Sequence, residues 1–585
     1  MVRSLNHGAR VERSDPDWIV VSSDWISARV SAKAGNAVAT GDTVLLLLGR
    51  PLWRERPISA EDLATLLAKT ADTMDGLGGR YAVVHGDRRT GSVQLVTDRF
   101  SVWPLCWSHN GSRLAFSDRA DSVPVDGSRD LDPQALYNYV YFHFIPAPQT
   151  AFRGVQRLEA ATRLRFDGST IDIRSAWRPH FPARRVGSID ELAVRFRDAI
   201  GSSVISEAAD FSVGCFLSGG TDSSTVVGTL KQLTGSARTF SIGFDQPGYD
   251  EMSYARIAAR HFGTDHTEHY VDAAQLVAAI PKVATAYDQP FGNSSAVPAY
   301  ICARLAHERG VTKLLAGDGG DELFGGNSRY AKQKLFEAWS LLPGPMRRAL
   351  SPLVVTPFAK AVPVLRKAAS YVEQANISLP GRLESYNLLQ HFGPRNVFTD
   401  AFLAMADADA PRSLQQAVYS REERAPFIDR MLAYDWRFTL ADNDLPKVIG
   451  TARLAGVAVG FPLLSDALVD LSLRLGPSDK VRGLRLRPFF KESLTGLLPP
   501  EVIAKKKHGF GLPVGIWLVN DPPFRALARA AVNELVHGGM LRTTFVEDLF
   551  TRRLKQHAGY YGEMIWVLMM MALWLQAHHS DWKVR

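Results

Sequence analysis

The sequence predicts two domains, an antiparallel α+β domain followed by an α/β nucleotide-binding domain with a parallel sheet. Three observations support this. The 585 residues exceed what one ordinary hydrophobic core holds. Alternating apolar and polar residues on both sides of the turn 87–91 predict a β-hairpin in the first third. Apolar runs at 211–217, 239–244 and 312–316, with helical segments between them, predict a parallel sheet in the remainder.

The boundary between the domains is predicted where the periodic pattern stops. Residues 178–185, RPHFPARR, contain two prolines and three arginines in eight positions and fit neither a helix nor a strand. We therefore expect a first domain over 1–182, built as a sandwich of antiparallel strands, and a second over 188–585.

The segment Phe216 to Ser224 lies between the first apolar run and an amphipathic helix. Adjacent glycines at 219 and 220 let the backbone turn sharply, and the helix that follows points its positive end at the loop. This pattern predicts an anion cradle. Because Asp222 would repel a bare phosphate, it suggests a Mg²⁺ ion between carboxylate and phosphate. No GKS or GKT follows the glycines, so the loop is not a Walker loop.

A second glycine-rich loop follows the apolar run at 312–316. Residues 317–326 contain three carboxylates and five glycines. Clustered carboxylates repel one another unless a cation neutralises them, and a metal shared with Asp222 would do so. The spacing lacks the alternating ligands and the twelfth-position Glu of an EF-hand. We interpret it as an active-site loop.

Together, these two loops resemble those of the synthetase domain of the asparagine synthetase family, and the resemblance spans about Ile189 to Leu575. Further stretches that match in order are Thr239 to Phe244, Asp250-Glu251, Tyr254-Ala255, Gly263 to His266, Asp288 to Phe291, Ser294-Ser295, Phe461 to Leu464 and Lys505 to Phe510. The family fold would be an Ntn-type glutaminase-like sandwich followed by a PP-loop ATP pyrophosphatase domain. The resemblance implies an enzyme that forms amide bonds and cleaves ATP to AMP and pyrophosphate.

The resemblance also implies roles for individual residues, with ATP and Mg²⁺ as cofactors. Those expected at the nucleotide are Leu217, Ser218, Gly219, Gly220, Asp222, Ser223, Ile242, Gly243 and Gly317. Asp222 and Asp321 would be the metal ligands. Asp318 would lie near the attacking amine, and Lys507 would stabilise negative charge on the activated intermediate. Because residues 505–507 are three consecutive lysines, which of them takes this role stays open.

The chain departs from glutamine-dependent relatives at its second residue. Those enzymes use an N-terminal cysteine, whereas this sequence has Val2, which offers no nucleophile. The nearest cysteine is Cys106. The stretch Gly76 to Leu105 nevertheless resembles the glutaminase-type domain. We therefore expect this protein not to make ammonia from glutamine.

Beta-lactam synthetases and lasso peptide cyclases are the branches of the family that lose this cysteine, and both join an amine and a carboxylate of one molecule. The chain is long, and its proline-interrupted helical region from Arg329 to about Arg412 could wall a peptide-sized pocket. This favours ATP-dependent macrolactam formation on a leaderless core peptide. A leader peptidase and a leader-binding protein are the suggested partners. A small-molecule amide synthetase (beta-lactam-forming or ammonia-using) and a non-catalytic scaffold remain alternatives, and a purely decorative role for 329–412 is nearly as well supported.

Composition sets the remaining expectations. The net charge is +8, but the basic residues are scattered along the chain in short clusters, which predicts no nucleic-acid partner. Three isolated cysteines indicate neither a zinc site nor a disulfide framework and fit a reducing cytoplasm. The N-terminus shows no signal peptide. The apolar run 564–575 is too short to span a bilayer and predicts a buried helix.

Overall fold

The computed structural model describes residues 10–15, 18–22, 27–31, 35–69, 76–246, 248–340, 342–356, 363–505 and 511–584. The chain divides into two compact units. The first is formed by Met1–Leu136 and Ile145–Pro179, and the second by Tyr137–Phe144 and His180–Arg585. The predicted fold class is confirmed, because the first unit is built on antiparallel strands and the second on a parallel sheet.

The first unit contains thirteen described strands. In order they are β1 Arg10–Asp15, β2 Trp18–Ser22, β3 Ser27–Ser31, β4 Gly35–Thr40, β5 Thr43–Trp53, β6 Arg56–Pro57, β7 Leu77–Asp87, β8 Ser92–Thr97, β9 Cys106–His109, β10 Leu114–Ser117, β11 Gln156–Arg157, β12 Thr162–Phe166 and β13 Ile171–Ser175. The central sheet has the order β13-β12-β8-β7-β5-β4, with β6 paired to β5. The remaining strands form two three-stranded sheets, β1-β2-β3 and β10-β9-β11.

The predicted hairpin is confirmed, since β7 and β8 pair antiparallel with Asp87 opposite Ser92. Side chains alternate between the two faces of the central sheet, so neighbouring residues enter different cores. Leu45 and Val83 pack with the helix Ala60–Lys69. Val44 and Val84 instead pack with residues of β2 and β9. Because both faces of the central sheet are buried, this unit is a layered sandwich.

The second unit is organised by five parallel strands. They are β14 Val213–Phe216, β15 Arg238–Gly243, β16 Asp265–Tyr270, β17 Lys313–Leu315 and β18 Ala458–Gly460. Their order is β16-β15-β14-β17-β18, and every pair is parallel. A two-stranded ribbon, β19 Val481–Arg482 and β20 Arg485–Leu486, lies outside this sheet. Because β14 and β17 are neighbours, the loops that follow them meet at the carboxyl edge of the sheet.

Helices surround this sheet. In chain order, the helices between residues 189 and 324 are Ile189–Ala208, Thr221–Thr234, Met252–Phe262, Ala273–Ala286, Ala296–Glu308 and Gly320–Phe324. The described helices of the region 329–412 are Ser328–Ser340, Gly344–Val354, Pro363–Ala375, the 3-10 helix Gly381–Glu384, Leu388–Phe392, Pro394–Val397, Asp400–Leu403 and the start of Ala410–Ser420. Then come Phe427–Asp435, a π-helix Trp436–Asp444, Leu445–Leu454, Asp466–Ser472, Pro477–Lys480, Pro488–Ser493 and Pro500–Ala504. The last are Val514–Asn520, Pro522–His537, Thr543–Asp548, a π-helical turn Leu549–Arg553, Leu554–Gln556 and Ala558–His578.

The predicted apolar C-terminal helix is present as Ala558–His578. Of the helices in the described residues, it is the one long and apolar enough to cross a membrane by length and composition. Trp566, Met570 and Trp574 are nevertheless almost completely buried. The indole of Trp574 donates a hydrogen bond to the carbonyl of Tyr287. This helix is therefore a core element of the second unit, as its pattern predicts.

Candidate active site

The loop of residues 217–220, where the sequence predicts an anion cradle, joins β14 to the helix Thr221–Thr234 and is called the phosphate loop below. Gly219 has φ of +67°, and a Cβ placed there would lie 2.3 Å from the carbonyl carbon of Tyr254. The turn therefore requires glycine. The Ser218 and Ser223 hydroxyls lie 3.1 Å apart, and Ser223 also accepts from the Ser218 N–H. Gly220, the N-cap residue of this helix, offers no side-chain cap, so the first N–H groups of the helix face the loop and can bind an anion.

The predicted adenosine-side residues lie beside this loop. Leu217 is buried, and its N–H donates to the carbonyl of Phe240 on β15. Ile242 and Gly243 end that strand. A Cβ at Gly243 would lie 2.9 Å from the ring of Tyr270, so a larger residue would not fit. The structure thus brings the backbone of Leu217 next to the strand that carries Ile242 and Gly243.

The second glycine-rich segment, residues 317–326, packs directly against the phosphate loop. A Cβ at Gly317 would lie 2.6 Å from the backbone nitrogen of Ser223. A Cβ at Gly320 would lie 2.6 Å from Cγ of Asp222. Small residues at both positions therefore let the two loops touch. This contact explains the glycines at 317 and 320 and brings the predicted metal ligands together.

Asp222 and Asp321 converge on one cation of the protein. Nη1 of Arg487 lies 2.5 Å from Oδ1 of Asp222 and 2.8 Å from Oδ1 of Asp321. Nη2 donates to the hydroxyl of Thr221 at 2.5 Å. Arg487 was not among the predicted site residues. It follows the β19–β20 ribbon, and nothing in the local sequence distinguishes it from Arg482 and Arg485.

The two carboxylates fit a Mg²⁺ site of the kind that is completed by substrate. Mg²⁺ prefers oxygen ligands and is commonly held by one or two carboxylates together with phosphates and water. Asp222 and Asp321 supply such oxygens beside an anion cradle. No group of three or more His, Cys, Asp or Glu side chains placed to hold a metal occurs in the described part of the chain. The remaining ligands would have to come from nucleotide and solvent.

A second charged cluster contains Asp318. Lys447 donates to Oδ1 of Asp444 at 2.8 Å, and its Nζ lies 3.9 Å from Oδ1 of Asp318. Burial raises the pKa of Asp318 to about 6, while the charge of Lys447 opposes that rise. Burial lowers the pKa of Lys447, but Asp444 and Asp318 more than offset this, so the pKa lies above its ordinary value. The cluster can therefore hold or accept a proton near neutral pH.

Sequence reasoning missed Asp444 and Lys447. They lie on one continuous helical stretch, where the π-helix Trp436–Asp444 passes into Leu445–Leu454. π-helical turns are common at functional sites because they change which side chains share a face. The Asp-Asn-Asp stretch 442–444 in a predominantly apolar helical segment was the available signal. Burial also raises the pKa of Glu322, next to Asp321, to about 8.

The lysine cluster is described only in part. Lys507 lies outside the described residues, as does Lys506. Nζ of Lys505 lies 3.2 Å from a carboxylate oxygen of Glu251 and donates to the carbonyl of Ser218 at 3.3 Å. Burial lowers its pKa, and Glu251 opposes that shift. Lys505 thus places a cation directly at the phosphate loop.

None of the three cysteines is exposed. Cys106 lies in β9, Cys215 in β14 and Cys302 in the helix Ala296–Glu308, and each is at most 4% exposed. Burial raises the pKa of the Cys215 and Cys302 thiols to about 12. The thiolate is the reactive form, so these side chains are inert at neutral pH.

The second unit also contains a cavity of about 530 Å³ among the helices of the region 329–412. It is lined by Tyr137, Tyr141, Gln390, Gly393, Pro394, Arg395, Leu403, Ala406, Ala408, Asp409 and Arg412. Gln390 donates to the hydroxyl of Tyr141 at 2.5 Å, and Arg412 donates to the Gln390 side-chain oxygen at 3.1 Å. The walls combine aromatic faces with amide and guanidinium groups, which suits a ligand with both apolar and polar parts.

Comparison with known proteins places these features in a family. Residues 195–576 match the asparagine synthase family model, and residues 60–177 match the glutamine amidotransferase domain model. Asparagine synthetase [glutamine-hydrolyzing] 1 of Bacillus subtilis (strain 168) is 24% identical over 526 residues, covering 88% of this chain and 79% of that protein. A putative asparagine synthetase [glutamine-hydrolyzing] of Mycobacterium tuberculosis (strain ATCC 25618 / H37Rv) is 25% identical over 530 residues, covering 86% of this chain and 77% of that one.

Two further matches are shorter or weaker. Putative asparagine synthetase [glutamine-hydrolyzing] 2 of Methanocaldococcus jannaschii is 32% identical over 268 residues, 44% of this chain and 51% of that protein. The solved glutamine phosphoribosylpyrophosphate amidotransferase of B. subtilis covers 48% of this chain and 62% of its own at 11% identity. Its TM-score of 0.15 is too low to support an argument. The family models cover most of the chain, and this protein belongs to the asparagine synthase family of ATP-dependent, amide-forming ligases.

Proposed function

We propose that this enzyme closes a macrolactam in a leaderless ribosomal core peptide, forming a lasso peptide. An Asp or Glu side chain of the peptide is adenylated by ATP, and the α-amine of its first residue then attacks. AMP and pyrophosphate are released. The relatives support ATP-dependent amide formation. The peptide substrate is our own step beyond them.

The burial of all three cysteines is the observation that carries the proposal. Hydrolysis of glutamine by this family's N-terminal domain requires an accessible thiol nucleophile. Cys106, the one cysteine of the first unit, is fully buried in a strand. The nitrogen would therefore be free ammonia or an amine of the substrate itself. We propose the second source, and an intramolecular attack needs a cavity that holds the two ends together.

The activation step would occur at the phosphate loop. A substrate carboxylate oxygen attacks the α-phosphorus of ATP, the bond between the α- and β-phosphates breaks, and pyrophosphate leaves. Ser218, Ser223 and the first N–H groups after Gly220 are placed to bind the phosphates. Lys505, beside Ser218, would offset the growing negative charge. A Mg²⁺ ion held by Asp222 and Asp321 would further neutralise the phosphate oxygens.

The amide-forming step would involve the Asp318 cluster. The substrate amine attacks the acyl carbon, a C–N bond forms, and AMP leaves with the bridging oxygen. The ammonium proton lost from nitrogen passes to a nearby base, and Asp318 is suited to this role because its pKa of about 6 lies near neutrality. Lys447, held by Asp444, would keep Asp318 ionised between turnovers.

The cavity bordered by Tyr137, Tyr141 and the region 390–412 would hold part of the peptide. Its volume of about 530 Å³ exceeds what a single amino-acid substrate needs. A leader peptidase and a leader-binding protein are the proposed partners, since the substrate is a freshly cut precursor. We place the reaction in the cytoplasm and expect no nucleic-acid partner.

Mass spectrometry tests the proposal directly. A candidate core peptide is incubated with the enzyme, ATP and Mg²⁺. We expect the loss of one water from the peptide and one AMP formed per cyclised molecule. Asp222→Ala should abolish both. Asp198→Asn, on the exposed face of the helix Ile189–Ala208, should leave both unchanged. An unaltered peptide mass across candidate peptides, with AMP formed only from small substrates, contradicts the proposal.

A small-molecule amide synthetase is the second candidate, because relatives covering most of the chain are named asparagine synthetases. Such an enzyme would either close a beta-lactam or use free ammonia. It predicts ATP–pyrophosphate exchange driven by a β-amino acid or by aspartate with no peptide present. A non-catalytic scaffold predicts no exchange with any substrate and an unchanged biological output for Asp222→Ala.

A further inference from the structure

Arg487 occupies the position where a cation shared by Asp222 and Asp321 would lie. A single nitrogen, Nη1, is within hydrogen-bonding distance of one oxygen from each carboxylate. The arginine side chain is only 7% exposed. Nη1 donates a charge-assisted hydrogen bond to Asp222, of a kind about twice as strong as a neutral one, and forms an ion pair with Asp321. The nucleotide site thus contains a protein cation of its own.

The surrounding structure is built to hold this arginine. Its backbone adopts φ of +51°, in the left-handed region that non-glycine residues rarely occupy, and its N–H donates to the carbonyl of Lys480. Such a conformation persists only where neighbouring contacts enforce it, and it is concentrated at functional sites. A Cβ at Gly326 would lie 2.8 Å from Nε of Arg487. The ring of Phe490 packs 5.1 Å from the guanidinium carbon.

This position has a consequence for metal binding. Mg²⁺ binds carboxylate oxygens at about 2.1 Å. An ion held by the same two Oδ1 atoms would need the space that Nη1 fills. The guanidinium and the ion cannot both be there, and repulsion between them adds to the steric conflict. One cation must leave before the other binds.

We propose that Arg487 is a positioning residue that keeps Asp222 and Asp321 together and keeps divalent cations out until nucleotide arrives. ATP, carrying its metal, displaces the guanidinium from the carboxylates. The freed guanidinium then faces an anionic ligand, for which arginine is well suited. The metal site is therefore assembled with the nucleotide rather than before it. This inference rests on the proposed nucleotide site and does not depend on the peptide substrate.

The test measures Mn²⁺ binding by electron paramagnetic resonance, using full-length protein without substrate. Wild-type protein should bind Mn²⁺ weakly alone and at least about tenfold more tightly with α,β-methylene-ATP. Arg487→Gln should bind Mn²⁺ about tenfold more tightly than wild type without nucleotide, and adding Asp321→Asn should remove that gain. Arg487→Lys, which keeps the charge, should resemble wild type. The exposed Arg485→Gln is the matched control.

Equal Mn²⁺ affinity of wild type and Arg487→Gln in the absence of nucleotide would overturn the inference. If Arg487→Gln does not fold, wild type alone decides, because tight Mn²⁺ binding that the analogue does not improve contradicts exclusion by Arg487. Failure of the analogue to bind at all, measured by calorimetry, would instead refute the nucleotide site itself. The two failures are thereby distinguished.

Discussion

The ammonium group of Lys447 lies 3.9 Å from the carboxylate of Asp318. The first residue belongs to the helix Leu445–Leu454, and the second to the loop after β17. Because the pair is largely removed from solvent, each charge alters the protonation of the other. Burial favours a protonated Asp318, and Lys447 favours an ionised one. This pair therefore sets the pH at which Asp318 can accept a proton.

The first prediction concerns the pH dependence of amide formation. Asp318 accepts protons only when ionised, so the rate at saturating ATP should rise with pH through a midpoint near 6 and then level off. Lys447→Met removes the charge that lowers the pKa of Asp318, so the midpoint should move to higher pH. Asp318→Asn should lose the rise altogether. The exposed Lys367→Met is the control and should keep the wild-type profile.

Gly317 provides a second test, on nucleotide binding. An alanine methyl at this position would lie 2.6 Å from the Ser223 nitrogen, and backbone there cannot move without distorting the phosphate loop. Gly317→Ala should weaken ATP binding, measured by calorimetry, by about tenfold or more, with about 1–3 kcal/mol lost in stability. Gly344→Ala has open space around the new methyl and should bind ATP like wild type. Equal affinities for both variants would contradict the close contact between the loops.

Lys505 is the subject of the third prediction. Its ammonium group contacts the carbonyl of Ser218 and the carboxylate of Glu251. If it binds the phosphates, Lys505→Met should raise the KM for ATP by roughly ten- to a hundredfold, since hydrogen bonds to charged groups contribute about 1.5–3 kcal/mol. Lys505→Arg keeps the charge and should remain close to wild type in KM. A methionine variant with unaltered KM would assign the lysine to structure alone.

The sequence alone predicts those parts of the site that lie in loops directly after the strands. The glycines and serines at 218–223 and 317–320 follow strands directly, so their positions at the sheet edge could be predicted from periodicity and turn chemistry. Arg487, Asp444 and Lys447 could not be placed this way, because tertiary packing brings them to the site from segments that are distant in the sequence. The family match covers ATP-dependent amide formation and does not distinguish a peptide substrate from a small molecule, so the proposed lasso-forming specificity stays a proposal.

The last prediction concerns a fully buried ion pair beneath the site. Nζ of Lys480 lies 2.6 Å from Oδ1 of Asp429, and neither side chain is exposed. Lys480→Met should destabilise the protein by about 3–5 kcal/mol because it leaves a buried carboxylate without its partner. Adding Asp429→Asn removes that charge and should recover part of the loss. Urea unfolding of both variants against wild type measures this.

The same variant has a defined pH dependence. Burial raises the pKa of Asp429, and Lys480 opposes that rise, so the pKa in Lys480→Met should be higher still. A carboxyl group with a raised pKa in the folded state binds a proton that the unfolded chain releases, so stability falls as pH rises towards that pKa. The deficit of Lys480→Met relative to wild type should therefore be larger at pH 8 than at pH 5. A deficit that is constant with pH, or an unchanged urea midpoint at pH 8, would show that the buried pair does not behave as a coupled charge.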